Sequence, residues 1–221
     1  YGTLKGVKLA NQKDLEKVVG YKIPDKLIEY SPDGLRYGGA KEINYNKSTE
    51  TVNLGKGSAR ENKSNVGKYQ FLAHELGHAI HYNTKQIDYS VSFRGKKPIY
   101  KVQKSEEFSA LFSSAKQEIK EAGSEGLSMG SKLAGKHLKI KTGKEAGDVK
   151  ELFTGWRDSM GDLTKGEIGR GHTKKYYKER NGIEFFAHLS ENYFIGNPYF
   201  EAALPKTYKA GNEYFKKLLN D

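Results

Sequence analysis

The sequence contains no cysteine. This absence excludes thiolate zinc ligands, disulfide frameworks and a cysteine nucleophile, and it leaves the redox compartment undecided. No apolar run is long enough to cross a bilayer, and no signal peptide opens the chain, which begins at Tyr1 rather than at a methionine. We therefore expect no membrane span, and we interpret the chain as a piece of a longer protein.

The sequence has fewer acidic than basic residues. Lysine and arginine number 38 against 27 acids, which gives a net charge of +11. Such an excess is compatible with an acidic substrate, an acidic inhibitor, a membrane surface or nucleic acid. The lysines are spread along the chain among acids, and no signature of a nucleic-acid-binding fold accompanies them. We therefore expect a solvated lysine-rich surface, and nucleic-acid binding is disfavoured.

The chain is nevertheless rich enough in apolar residues to fold. Its hydrophobic fraction is 36% and its aromatic fraction 12% over 221 residues, which predicts one domain with a packed core. Within it, a helix is predicted over residues 65–82. The apolar residues at helical spacing are Val66, Tyr69, Leu72, Ala73, Leu76 and Ile80.

This helix carries the motif His74-Glu75-Leu76-Gly77-His78. Positions i and i+4 lie on one face of a helix, so both imidazoles can reach one metal ion. Glu75 lies beside the first histidine, where its carboxylate can act as the general base toward a water on that metal. The motif therefore predicts the zinc site of a metallopeptidase.

The spacing leaves the third ligand open. A catalytic zinc has three protein ligands and an open position. His81 lies on nearly the same helical face, but it is about 10 Å along the axis from His74, too far to share one ion. The remaining candidates are acids that open later apolar helices: Glu106, Glu107 and Glu184.

One of these acids lies in a segment with a family resemblance. Ile183-Glu184-Phe185-Phe186-Ala187 resembles the stretch that supplies the zinc-binding glutamate in anthrax lethal factor-like metallopeptidases, which are gluzincins. The segment 204–208, followed by a helix, also resembles the family's ending. The resemblance implies Glu184 as the third ligand. It implies Tyr177, seven residues earlier, as the catalytic tyrosine, with its neighbour Tyr176 as the alternative. It does not extend to residues 1–64 or 86–150.

The sequence departs from this family at one position. Four residues after the ligand, such proteins often carry an acid that orients a zinc histidine, whereas this chain has His188. Either another acid such as Glu191 takes that role or zinc is held more weakly. His188 and Glu107 stay open as alternative contributors to the metal site. A second resemblance, over 157–164 through Gly171-His172, is to metallopeptidase domains of phage head proteins and bacterial toxins.

The expected fold is α+β: a mostly helical, zincin-like metallopeptidase domain over residues 1–221. Its N-terminal lobe, about 1–85, contains a β-hairpin over 42–46 and 50–54 beside the motif helix; the C-terminal helical lobe covers about 86–221. Further helices are predicted over 12–19, 23–28, 105–121, 148–160, 183–194 and 208–219. The segment 123–147, rich in glycine, serine and lysine, is expected to be a mobile surface region.

The predicted function is that of a zinc-dependent endopeptidase, in which His74, His78 and Glu184 hold zinc while Glu75 and Tyr177 act in catalysis. The resemblances imply a toxin or effector, secreted or delivered into a target cell as part of a larger bacterial or phage protein. The expected partners are a protein or peptide substrate and an acidic immunity or inhibitor protein. The alternative is a non-catalytic module, binding protein or nucleic acid, that retains a zincin fold.

Overall fold

The computed structural model describes residues 36–38, 43–48, 50–54, 65–82, 87–92, 95–100, 105–169, 171–180 and 182–220. This part of the chain is mostly helical with two small sheets, which confirms the α+β class. The helices predicted over 12–19 and 23–28 lie outside the described residues. The proposed division into two lobes stays a prediction. Among the described helices, none has the length and apolar character needed to span a bilayer.

Along the described part of the chain, three strands are followed by one helix, two further strands and then six helices. The strands are β1 (Arg36–Gly38), β2 (Ile43–Asn46), β3 (Thr51–Leu54), β4 (Ile87–Ser92) and β5 (Gly95–Tyr100). The helices are α1 (Asn65–Tyr82), α2 (Glu106–Ile140), α3 (Gly143–Leu163), α4 (Lys174–Glu179), α5 (Ile183–Phe194), α6 (Pro198–Ala203) and α7 (Pro205–Asn220).

The predicted hairpin is confirmed and lies in a three-stranded sheet of order β1-β3-β2. β2 runs antiparallel to β3 with Ile43 opposite Leu54, and β1 runs parallel to β3. In the turn, the Ser48 amide donates to Asn46 Oδ1 at 3.0 Å, a local bond that favours chain reversal. The sheet packs against α1, as expected, and the second sheet is the antiparallel pair β4-β5.

The motif helix α1 has the predicted bounds and packs closely against α5. A Cβ atom on Gly77 would lie 2.8 Å from Ala187 Cα and 2.8 Å from Ser190 Cβ. Ser190 Oγ donates to the Ala73 carbonyl at 2.8 Å across the same contact. The glycine inside the motif therefore lets the two helices that carry the predicted ligands approach each other.

The prediction of a mobile region over 123–147 was wrong, because α2 continues to Ile140 and α3 starts at Gly143. Gly123 interrupts the helical geometry with φ 58°, and the chain then resumes as a helix. Leu127 and Ala134 are buried, and a Cβ on Gly130 would lie 2.5 Å from the Tyr199 carbonyl. The small residues of this segment thus serve close packing against α6.

Two buried carboxylates determine where later helices begin. Asp162, at the end of α3, accepts hydrogen bonds from the Gly182 amide at 2.9 Å and the Phe185 amide at 2.8 Å. Glu118 of α2 accepts from the Lys206 and Thr207 amides at the start of α7. These acids satisfy amide groups that have no partner inside their own helix. Asp162 therefore determines the position of the first turn of α5, which carries Glu184.

The core beneath that turn is aromatic. The ring centroids of Phe112 and Phe185 are 5.5 Å apart, those of Phe108 and Phe186 are 5.7 Å apart, and those of Phe186 and Phe215 are 5.0 Å apart. Phe185, Phe186 and Phe215 are fully buried. Because these rings hold the apolar face of α5, Glu184 is held on a rigid helix.

Candidate metal centre

Three residues predicted as ligands come together between α1 and α5. His74 Nε2 lies 3.3 Å and His78 Nε2 3.5 Å from Glu184 Oε2, and the two imidazole nitrogens are 3.1 Å apart. The three donor atoms therefore converge on one point. His74, His78 and Glu184 form one of three groups of side chains that are positioned to bind a metal ion within the described part of the chain.

The donor set fits a divalent transition metal. Two imidazole nitrogens and one carboxylate oxygen are the ligands that a catalytic zinc uses, and no thiolate is needed. Glu184 Oε2 is buried, and among the described residues it has imidazole nitrogens at 3.3–3.7 Å but no hydrogen bond of good geometry. A buried carboxylate oxygen without a good hydrogen bond is costly, and a cation at this point would remove that cost.

The electrostatics of the cluster favour an ionised carboxylate. Burial by itself raises the pKa of Glu184, but His78, His172 and His74 hold that pKa well below the usual range of a glutamate. Burial lowers the pKa of His74, whereas its bonds with Glu184 and Glu191 raise it well above the ordinary value. A metal ion at His74 Nε2 would compete with a proton for this nitrogen.

Glu191, one acid that the sequence analysis left open for the orienting role, contacts His74. Its Oε1 is 2.7 Å from His74 Nδ1, and its Oε2 accepts from Gln70 Nε2 at 3.1 Å. Gln70 also donates to the Glu151 carbonyl at 3.2 Å, so the acid is held in turn by α1 and α3. A carboxylate on the outer nitrogen of a ligating histidine determines the tautomer and orientation of the ring.

His188 lies behind the first cluster, between two acids. Its Nε2 is 3.1 Å from Asp158 Oδ2, and its Nδ1 is 2.8 Å from Glu191 Oε1. Burial lowers the pKa of His188, but Glu191 and Asp158 together raise it to about 9. His188 belongs to the other two metal-compatible groups, yet both of its nitrogens already face carboxylates. The open alternative Glu107 lies elsewhere, exposed and paired with Lys217 on α7.

The two candidate tyrosines have different surroundings. Tyr176 lines the cavity at the metal site, and its hydroxyl donates to Glu184 Oε1. Tyr177 is buried away from the cavity; its hydroxyl donates to Asp158 and accepts from the His172 amide at 2.8 Å. The structure therefore brings Tyr176 to the metal site and does not bring Tyr177 there. The catalytic role of Tyr177 stays a prediction, and of the two candidates it is the alternative, Tyr176, that lines the cavity.

A cavity of approximately 390 Å³ opens onto the three converging donors. Glu75 lines this cavity beside His74 and His78. His81 does not line it: this ring is buried, lies 5.2 Å from the ring of Phe186, and burial lowers its pKa to about 3. The motif therefore presents two imidazoles and one carboxylate to an open cavity, as predicted from helical spacing.

Sequence reasoning did not assign a role to His172. Its Nε2 lies 3.7 Å from Glu184 Oε2 and 3.7 Å from Asp158 Oδ2, and its ring stacks on Tyr176 at 4.1 Å. It lines the cavity but belongs to none of the three metal-compatible groups. The residue lies in a turn, where no periodicity relates its position to the motif helix.

Comparison of the chain with protein-family models, with curated proteins and with solved structures found no match. The resemblance of residues 183–187 to lethal factor-like metallopeptidases therefore stays a prediction from the sequence.

Proposed function

We propose that the chain is a zinc-dependent endopeptidase with a zincin-like fold of the gluzincin type. The observation that carries this proposal is the convergence of His74, His78 and Glu184 at an open cavity that Glu75 also lines. Three protein ligands with a free acid beside them are typical of a catalytic zinc site. A structural zinc has four protein ligands and needs no base.

His74 Nε2, His78 Nε2 and Glu184 are the groups that would hold zinc. When bound, zinc polarises a carbonyl oxygen and lowers the pKa of a water ligand from 15.7 to about 7. Glu191 keeps His74 oriented toward the ion through the 2.7 Å contact at Nδ1. Asp162, by capping α5, keeps Glu184 at the first turn of its helix.

Glu75 is the proton carrier of the proposed reaction. Its carboxylate accepts the proton of the attacking water and returns it to the leaving amine. Tyr176 is the proposed hydroxyl donor: its hydrogen bond to Glu184 Oε1 would be exchanged for one to the developing negative charge on the carbonyl oxygen, and one such donor contributes about 2.7–4 kcal/mol. In this proposal Tyr176 replaces Tyr177, which instead anchors His172 and Asp158.

The edge of strand β2 beside the cavity is the proposed binding surface for an extended peptide. β2 is one of the two edge strands of its sheet within the described residues, and Asn44 and Tyr45 on this strand line the cavity. A substrate strand that pairs with the outer edge of β2 would gain backbone hydrogen bonds independent of its sequence. This arrangement would place a peptide bond beside Glu75 and Tyr176.

The biological setting follows from the resemblances alone. Within this proposal the chain is the catalytic part of a bacterial or phage-associated toxin or effector, secreted or delivered into a target cell. An acidic immunity or inhibitor protein is the expected partner because the net charge is +11. The alternative, a non-catalytic module with a zincin fold, does not explain why Glu75 lines the cavity beside the ligands.

One experiment separates these functions. The protein is loaded with zinc, its metal content is measured, and cleavage of a mixed peptide library is followed by mass spectrometry with and without chelator. We expect one zinc per chain and chelator-sensitive cleavage. Glu75→Gln should keep the zinc and lose cleavage. Zinc binding without any cleavage would favour the binding module, and turnover by Glu75→Gln would refute the general base.

The third ligand is tested in the same assay. Glu184→Ala should lose the metal, because only two imidazoles remain. Glu107→Ala is the matched control, because it removes an acid at the start of α2 that is paired with Lys217 and distant from the site. Unchanged zinc content in Glu184→Ala would move the third ligand to His188.

A further inference from the structure

Arg180 lies at the junction between α4 and α5, where its backbone is held on both sides. Its amide donates to the Tyr176 carbonyl at 2.9 Å, and its carbonyl accepts from the Ile183 amide at 3.2 Å. The second of these bonds joins Arg180 to the helix that carries Glu184. The side chain therefore projects from a backbone whose position is coupled to the metal site.

The guanidinium of Arg180 reaches the mouth of the cavity. Its Cζ lies 5.0 Å from the centre of the Tyr176 ring, and the residue is both exposed and part of the cavity wall. The ion pairs formed by the described residues do not include Arg180. Arg180 also has a side-chain hydrogen bond with Tyr176. The remaining N–H groups of the guanidinium are available to a planar acceptor.

The charges around this mouth are not uniform. Glu184 is one of the three proposed ligands, and Asp158 and Glu191 lie behind it; all three acids are buried and face histidines. Glu75 and Glu151 also line the cavity. On the other side, Lys47 Nζ lies 5.2 Å from the ring of Tyr82, another residue of the cavity wall. Among the described residues, Arg180 is the lysine or arginine that lines the cavity, and a cation in this position attracts an anionic group.

We propose that Arg180 is a specificity-determining residue that binds a carboxylate of the substrate, so that the preferred substrates are acidic peptides. This inference rests on the proposed endopeptidase function. A guanidinium accepts a carboxylate through two parallel N–H···O bonds, which determine position as well as add binding energy. The carboxylate has two sources: an Asp or Glu side chain near the cleaved bond, or the C-terminus of the peptide.

The hydrolysis experiment uses zinc-loaded protein and peptide sets that carry Asp, Asn or Lys at each position near the cleaved bond. Each set is made with a free and an amidated C-terminus. For the wild type we expect kcat/KM to be about ten to a hundred times higher for the peptides with the carboxylate. Loss of the preference on amidation identifies the C-terminus as the source, and its persistence identifies the side chain.

The matched variants are Arg180→Gln and Lys178→Gln, since Lys178 is an exposed cation two residues away that does not line the cavity. Arg180→Gln should keep its zinc and lose the preference for carboxylate-bearing peptides, so that the ratio of kcat/KM for Asp and Asn peptides measured within this variant falls to about one. Arg180→Glu should prefer the Lys peptides. Lys178→Gln should behave as wild type. Equal loss in both Gln variants would mean that only net charge matters and would overturn the inference.

A binding measurement separates failure of this inference from failure of the proposed function. Zinc-loaded Glu75→Gln protein is titrated calorimetrically with peptide hydroxamates that carry Asp or Asn, with and without Arg180→Gln. A preference for Asp that disappears with Arg180→Gln supports the inference even if no peptide is hydrolysed. Hydrolysis by the wild type without any difference between Asp and Asn overturns the inference and leaves the endopeptidase in place.

Discussion

Replacing Gly77 by alanine tests how the two ligand-bearing helices approach each other. The added methyl group would lie 2.8 Å from Ala187 Cα, which is backbone, and 2.8 Å from Ser190 Cβ. Neither atom can swing away as the end of a flexible side chain can, so α1 and α5 must separate. Overpacking of this kind costs about 1–3 kcal/mol.

The control is Gly135→Ala on α2, where an added Cβ meets nothing within 4 Å. Both substitutions gain the same helix propensity, about 0.8–1.0 kcal/mol. The free energy of unfolding in urea should therefore be lower for Gly77→Ala than for Gly135→Ala by about 1–3 kcal/mol. The same separation moves His74 and His78 from Glu184, so zinc affinity should fall only in Gly77→Ala.

The reasoning would be refuted if Gly77→Ala were as stable as Gly135→Ala and bound zinc as tightly as the wild type. That result would mean that the contact between α1 and α5 tolerates a side chain. The glycine would then have no part in positioning the site.

Glu191→Gln should weaken zinc binding about 10–100-fold while the fold is retained, because His74 loses its charged partner; competition with a chromogenic chelator measures this. Tyr176→Phe should lower kcat about 10²–10³-fold with an unchanged free energy of unfolding. Tyr177→Phe should destabilise the fold by about 1–3 kcal/mol, because Asp158 Oδ1 loses the Tyr177 hydroxyl while Oδ2 keeps His188. The reverse pattern would restore Tyr177 to the catalytic role. His81→Leu should reduce the loss of folding stability at acid pH. Burial lowers the pKa of His81 to about 3 in the fold, against 6.5 in the unfolded chain. The contribution of this histidine to the free energy of unfolding is therefore complete above pH 6.5. It is lost at roughly 1.4 kcal/mol per pH unit as the pH falls towards 3. Urea titrations of both proteins at pH 7 and 4.5 check this, and parallel loss of stability would contradict it.

The parts of the fold that local pattern dictates could be predicted. The bounds of α1 and α5 follow from apolar residues at helical spacing, and the β2-β3 hairpin follows from alternation. The pairing of His74 with His78 needs only the geometry of one helix. The helix after Gly123 could not be predicted in this way, because a segment rich in glycine has the composition of a linker. The reason for Gly130 is the close approach of the Tyr199 carbonyl, which belongs to a distant part of the chain.

The orientation of the tyrosines also depends on distant residues. Tyr176 and Tyr177 differ by about 100° around the short helix α4, so sequence distance from Glu184 does not tell which one faces the site. Gly161 decides it, since a Cβ there would lie 2.5 Å from the Tyr177 ring and hydroxyl. The missing side chain creates the space that the Tyr177 ring occupies, and Tyr176 is thereby directed to the metal cluster.

The contact between His74 and Glu191 joins residues 117 positions apart in the chain. Loops of that length close slowly, since the entropy of closure is lost before any contact compensates for it. Ion capture is accordingly expected late in folding, after the early and late halves of the chain have met. An ion present at about a hundred times its dissociation constant would then stabilise the folded chain by about 2.7 kcal/mol, so metal supply would determine how long this molecule survives a protease-rich environment.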